Sequence, residues 1–503
     1  MRTPLVAALL GFASLTAGAS ADTLKKLPRA TPESQGISSA ALLPMIEEAD
    51  QRALGLHAIM IVRHGHVVAE GWWSPYAATE PHMLFSLSKS FTSTAIGMLQ
   101  ADGKLSINDP ILKYFPGDAP AEPSENLREM RIRDLLIMST GQHKEDVDKI
   151  NVLAADKSGT KQFLAAPVPH KPGTLFYYNS PGTFMLSAIV QKVSGQTVRD
   201  FLTPRLFEPL GIKQPDWDIT PQGYNRGASG LHMVTEDIAK FGQLYLQRGE
   251  WEGRRLLPAA WIDVATSRQA SNGGNPESDW DQGYGYQFWR CIPGFYRGDG
   301  AFGQFCIVMP QYDTVVAINS GTNDMQSVMK LIWTRLIPEL RPVAIPENPD
   351  AHAKLIQRLA SLTMKPQAGN ASSPTAVRIL GRRFLFGPDA KNRIGLEAVE
   401  LEKTADGSIS FSVKIHGAEQ RVAVGQNQWI KGSFAFNSDG GVPVAVSGAW
   451  TADDIYTLQF CQYQAPFTTT ARLRFTGDDV TLSYEQNVGN PPEKSPAFTG
   501  HAS

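Results

Sequence analysis

The chain has 503 residues, a formal net charge of −2 and a pI of about 6.6, with 42% hydrophobic and 19% charged residues. That length can hold two or more domains with full cores, and the composition is that of a globular protein. A near-balanced charge with no long basic stripe excludes nucleic acid as a partner class.

In chain order, MRTPLVAALLGFASLTAGASA comes first. Arg2 supplies a positive start, Leu5 to Leu15 a short apolar run, and Ala19-Ser20-Ala21 a small-x-small cleavage site. Residues 1–21 are therefore predicted to be a signal peptide, which places the mature protein in the periplasm or outside the cell. The apolar run is short for a membrane span, and none is expected elsewhere.

An amphipathic helix is predicted over about 40–54. HAIMIVRHGHVVAEGWW then reads as two strands about a turn at His64-Gly65. FSLSKSFTSTAIGMLQA (85–101) reads as a helix closed by Gly103. Residues 110–225 read as helices and loops. Thr235 looks like an N-cap, with Glu236 and Asp237 in the positive first turn of the next helix. After residue 280, YGYQFWRC, GFYRGDG, FCIVMP and TVVAINSG read as strands, followed by a helix over about 324–336. Strands at both ends with helices between them predict an α+β domain with a mostly antiparallel sheet over residues 22–345. RPVAIPENP opens a predicted linker, 346–375, containing a short helix. From 376 to 503 the pattern alternates in period two between turn signals, predicting an all-β barrel or sandwich.

Of the three cysteines, Cys291 and Cys306 flank one hairpin-like region and are the pair an oxidising compartment could join. Free buried thiols are the alternative.

Ser86 and Lys89 lie three apart, and so on one face of the helix they open. A serine hydroxyl needs a neighbouring base, and a lysine serves only if its pKa falls well below about 10. The helix N-terminus and burial under the apolar run 91–99 both push it down. Ser-x-x-Lys also occurs at 158–161 and 327–330, without comparable context. Tyr177-x-Asn179 follows in a loop-like segment, offering a proton relay and a group that can hold a substrate carbonyl. Further on, a strand ends in Gly298-Asp299-Gly300. Its glycines admit a substrate at close range, and the N–H of Ala301 is free to face an oxyanion together with that of Ser86.

These three motifs, in this order, resemble those of the class C β-lactamases. They equally resemble those of their relatives: the D-alanyl-D-alanine carboxypeptidases, penicillin-fold esterases and 6-aminohexanoate-oligomer hydrolases. RIRDLLIMSTG (131–141) and GLHMVTEDIAKFGQLYLQRGEW (230–251) are similar to further family segments, and the likeness covers about residues 30–340. It implies a β-lactamase/transpeptidase-like domain with a helical subdomain. It implies Ser86 as nucleophile, Lys89 as general base and Tyr177 as relay. It further implies Ser86 and Ala301 as oxyanion donors, and Asn179, Gly298, Gly300 and His232 as substrate contacts. No cofactor or metal is expected. The family's β-lactamases and carboxypeptidases carry a lysine where this chain has Gly298, and that lysine helps bind a carboxylate. Its absence favours a small ester or amide as the substrate. A β-lactamase, a carboxypeptidase or a non-catalytic binding protein of the same fold are the alternatives.

Overall fold

The computed structural model describes residues 25–387, 394–436, 440–489 and 491–503; the expected signal peptide lies outside them. No described helix is long and apolar enough to cross a membrane.

The first unit is built on a six-stranded antiparallel sheet. Its strands are β1 (Leu56–Arg63), β2 (His66–Trp72), β3 (Trp289–Arg290), β4 (Tyr296–Gly300), β5 (Gln304–Met309) and β6 (Thr314–Ser320), in the order β2-β1-β6-β5-β4-β3. The first and last parts of the unit meet at its centre, where Ile59 pairs with Ile318 and Ile61 with Val316. Period-two alternation sorts side chains between the faces. Ile59, Ile61, Phe305, Ile307 and Ile318 enter one core, under α1 (Ser39–Gln51) and α5 (Met325–Leu331). Met60, Val62, Val308 and Ala317 enter the other. That second core also takes Phe91 from α2 (Ser88–Ala101), Leu186 from α3 (Ser180–Ser194) and Phe241 from α4 (Thr235–Leu246). Cys291 and Cys306 fall in these opposite cores, so the two thiols are free and buried rather than paired.

Two local expectations shift. Thr235 does not cap α4. It is the helix's first residue, and its hydroxyl donates to Asn319 Oδ1 at 2.9 Å, tying helix to sheet. The short helix expected in the linker is α6 (Pro349–Ala360), which packs on α1 and puts Leu355 and Leu359 into the core beneath the sheet.

The second unit is an eleven-stranded antiparallel sheet rolled into a nearly closed barrel. Its strands include Ala418–Val424 and Val442–Ala452. The first strand of the rolled path, Ala418–Val424, meets the last, Ile430–Phe434, through side chains. There the Gln420 carboxamide donates to Ala435 O at 3.0 Å and accepts from Ala435 N at 2.7 Å.

The barrel leans on the first unit through the loop between strands Ile455–Cys461 and Thr468–Thr476. Gln464 O accepts from Met83 N at 2.8 Å, and Ala465 O accepts from the Tyr76 hydroxyl at 3.1 Å. Gln464 Nε2 donates to Glu80 at 2.9 Å, and Asn487 Nδ2 donates to Gly321 O at 3.2 Å. Trp429 and Tyr463 pack beside a small buried cluster of Tyr76, Ala445 and Cys461. A chain stopped at residue 345 loses α6 and bares Tyr76, so it is expected to accumulate in the insoluble fraction. Soluble yield measured against the full chain checks this.

Candidate active site

Ser86 lies in a tight turn, Phe85–Leu87, that runs directly into α2. Phe85 has φ +48°, a left-handed conformation that costs a non-glycine residue on the order of 1–3 kcal/mol. The surroundings hold it there. The Ser88 hydroxyl donates to Phe85 O and accepts from Leu231 N at 3.2 Å, fastening the turn to the short ribbon Leu231–Met233. The strained turn presents the serine at the start of the helix, where N–H groups have no intrahelical acceptor.

Lys89 is 2% exposed. Its Nζ donates to Ser86 Oγ at 2.9 Å, to Ser180 Oγ at 3.1 Å and to Ala228 O at 2.8 Å. Burial pulls its pKa down from 10.5 to about 7. Arg226 pushes the same way, while Asp299 opposes. A neutral amine still satisfies this pocket. Its two N–H groups serve Ala228 O and Ser180 Oγ, and its lone pair faces the Ser86 hydroxyl.

The Ala228 carbonyl is fixed by the packing of its loop. Gly227 has φ +67°, and a Cβ there would meet Ser187 Cβ at 2.5 Å, so the chain passes hard against α3. Thr92 Oγ1 donates to Gly227 O at 2.9 Å from the α2 side.

The second motif is arranged differently from the expectation. Tyr177 does not reach Ser86; its hydroxyl donates to Asp148 Oδ1 at 3.1 Å, on the exposed side of the loop. The next residue, Tyr178, takes its place. Its ring lies 4.9 Å from Lys89 Nζ and it stacks on Trp289 at 5.3 Å. Burial pushes the Tyr178 hydroxyl above its ordinary value, and the nearby Ser86 hydroxyl works against that.

Asn179 is not available to a substrate. It is wholly buried and caps α3, accepting from Gly182 N at 2.8 Å while its amide donates to Thr140 and Gln142. That cap explains the register. Adjacent residues in an extended segment point opposite ways, so anchoring Asn179 inward and starting α3 at Ser180 delivers Tyr178 and Ser180 to Lys89. An Asn followed by Ser-Pro-Gly is itself an N-cap signal, and reading it would have separated the two tyrosines.

At β4, Gly298 and Gly300 face the Ser86 turn. A Cβ on Gly298 would meet Leu87 Cδ1 at 2.3 Å, and one on Gly300 would meet Leu84 O at 2.1 Å. Among the described residues, the N–H of Ala301 has no protein acceptor. Arg297 and Asp299 point to the opposite side of the strand and pair with each other, Nε to Oδ2 at 2.8 Å, both buried. The guanidinium also donates to Asp279 O and Arg290 O and lies over Trp280. His232 is half-buried beside Asp218, at 3.8 Å, with its backbone paired to Met83. The other Ser-x-x-Lys at 158–161 is a helix cap, in which Ser158 Oγ accepts from Lys161 N.

Phe467, in the barrel's docking loop, was not expected here. Its ring lies 6.1 Å from Phe85 and 5.9 Å from Phe302, which are 5.3 Å apart. Phe85 adjoins Ser86 and Phe302 adjoins Ala301, so the trio spans both N–H-bearing segments.

The β-lactamase family profile matches residues 45–337, more than half of the chain. The chain belongs to the β-lactamase family. It is 25% identical over 326 residues to 6-aminohexanoate-dimer hydrolase of Paenarthrobacter ureafaciens, covering 59% of this chain and 80% of that protein. It is 26% identical over 309 residues to penicillin-binding protein 4 of Amycolatopsis lactamdurans, covering 52% and 77%. A solved Bacillus anthracis structure, provisionally named a 6-aminohexanoate-dimer hydrolase, shares the fold. Its TM-score is 0.53 at 20% identity, over 65% of this chain and 90% of that one. This β-lactamase-family chain is thus a serine hydrolase for amide- or ester-type substrates.

Gly300→Ala is expected to push the Ala301 strand end off the Ser86 turn. Overpacking of this kind costs about 1–3 kcal/mol, so melting temperature and ester turnover should fall together.

Proposed function

We propose that the chain is an exported hydrolase that cleaves a small, neutral ester or amide through an acyl-enzyme on Ser86. The observation that carries this reading is the 2.9 Å contact between Ser86 Oγ and a buried lysine whose pKa is brought to about 7. At that value Lys89 can take the serine proton near neutral pH and later return it. Ser86 Oγ attacks the carbonyl carbon, its proton passes to Lys89 Nζ, and the N–H groups of Ser86 and Ala301 receive the oxyanion. Collapse expels the leaving alcohol or amine with a proton from Lys89 through Tyr178. Water then attacks the ester on Ser86 by the same proton path in reverse. Export rests on the leader pattern of residues 1–21.

The preference for a neutral substrate rests on charge. Arg297 is turned to the far side of the strand and paired with Asp299, and Arg226 pairs with Asp218 at 3.1 Å. Binding a carboxylate needs a fixed cation with donors that face the substrate. p-Nitrophenyl butyrate is therefore expected to turn over, and nitrocefin to react slowly. Nitrocefin hydrolysis rivalling the best ester would overturn this.

Ser86→Ala is expected to abolish labelling by a fluorophosphonate, read by intact mass. Lys89→Ala and Tyr178→Phe should each lower kcat on the order of 10²-fold or more, while Tyr177→Phe stays near wild type. The reverse ranking of the two tyrosines would move the relay back to Tyr177.

The pH profile has a fixed sign. Below about 7 Lys89 holds its proton and cannot accept another, so kcat/KM should fall about tenfold per pH unit on that side and level off above it. A profile flat from pH 5 to 8 would assign the base elsewhere.

A further inference from the structure

Among the described residues, the barrel is packed at one end and hollow at the other. Phe384, Trp450, Tyr456 and Phe475 fill the packed end. The other end holds a cavity of about 290 Å³. Its walls are apolar and largely aromatic: Phe411, Phe434, Phe436 and Phe460, with Ala471 and Leu482 between them. A barrel interior left unfilled by side chains is a place where such folds hold one small ligand.

Four polar groups share this cavity. Thr469 is 6% exposed, and its Oγ1 is buried with no hydrogen-bond partner among the described residues. An unpaired buried hydroxyl is costly, so a ligand head that bonds to it gains what the empty barrel lacks. Gln486 lines the same region. Tyr484 donates to Glu493 at 2.9 Å, which places a carboxylate on the rim. That carboxylate disfavours an anionic head in an apolar enclosure. Thr469 pairs with Phe460 on the neighbouring strand, one step from the docking loop, so the hollow lies at the docking-loop end of the barrel.

We infer that the C-terminal barrel binds a small neutral amphiphile, an aliphatic or aromatic body with one uncharged hydroxyl or carbonyl head, whose head bonds Thr469. The site is separate from Ser86 and does not depend on the reaction proposed there.

The test uses the full chain and the neutral fluorophore N-phenyl-1-naphthylamine. One probe per chain is expected to bind, to be displaced by 1-octanol, and to be displaced far less by octanoate. Ala471→Phe fills the hollow and should weaken probe binding by about tenfold or more without changing ester turnover. Should that variant fold poorly, Thr469→Val keeps the volume and removes the hydroxyl. It should weaken 1-octanol by about fivefold while leaving the probe bound. Wild-type chain already acylated by a fluorophosphonate should bind the probe as before. Four results would overturn the inference: no binding; binding lost on acylation; binding indifferent to Ala471→Phe in a folded variant; or octanoate competing as well as 1-octanol.

Discussion

The buried amine of Lys89 is the contact on which the rest of the molecule depends. Removing an ammonium from water is expensive, and the cost is met only by acceptors held in fixed places. Those acceptors come from three separate parts of the chain: Ser86 on the strained turn, Ser180 at the start of α3, and Ala228 O on a loop pressed between α2 and α3. None of the three can move alone. The turn is fastened by Ser88, the helix start by Asn179, and the loop by Thr92 and by the close approach at Gly227. The same burial that demands this support lowers the lysine's pKa, which is what the proposed role as a base requires.

The strand edge beside it follows from the same economy of space. Gly298 and Gly300 lie so near Leu87 and Leu84 that no side chain fits, which brings β4 onto the Ser86 turn. The charges that the strand does carry, Arg297 and Asp299, are turned away and neutralise each other under the indole of Trp280. The site is therefore polar in its hydrogen bonds and nearly neutral in its field.

Much of this was legible in the sequence. Helix periodicity and the apolar run after it place Ser86 and Lys89 on one face and Lys89 under cover, and the structure has them in contact at 2.9 Å with the lysine buried. The antiparallel sheet follows from alternating strands at both ends of the first unit. Tyr178 was harder to find, because two tyrosines precede Asn179 and the choice between them turns on which way one extended residue points. The anchoring of Asn179 by Thr140 and Gln142 settles that, and those partners are distant in sequence. The strand Val442–Ala452 is hard to read in the sequence because it is nearly continuous apolar chain interrupted by Pro443 and Gly448, with buried residues on both faces and hence no clear alternation. Phe467 carries no local signal at all: it matters only because a loop of one unit meets two loops of another.

That meeting has a temporal side. Domains generally fold from the N-terminus as the chain is made. Ser86, Lys89 and Tyr178 are synthesised well before the ring that spans Phe85 and Phe302, which comes with the second unit, on a barrel whose closing strands come later still. A nascent chain carries Ser86 and Lys89 before the rim of the site is braced. The segments beside Ser86 and Ala301 thus gain their aromatic brace only when the second unit docks on the first.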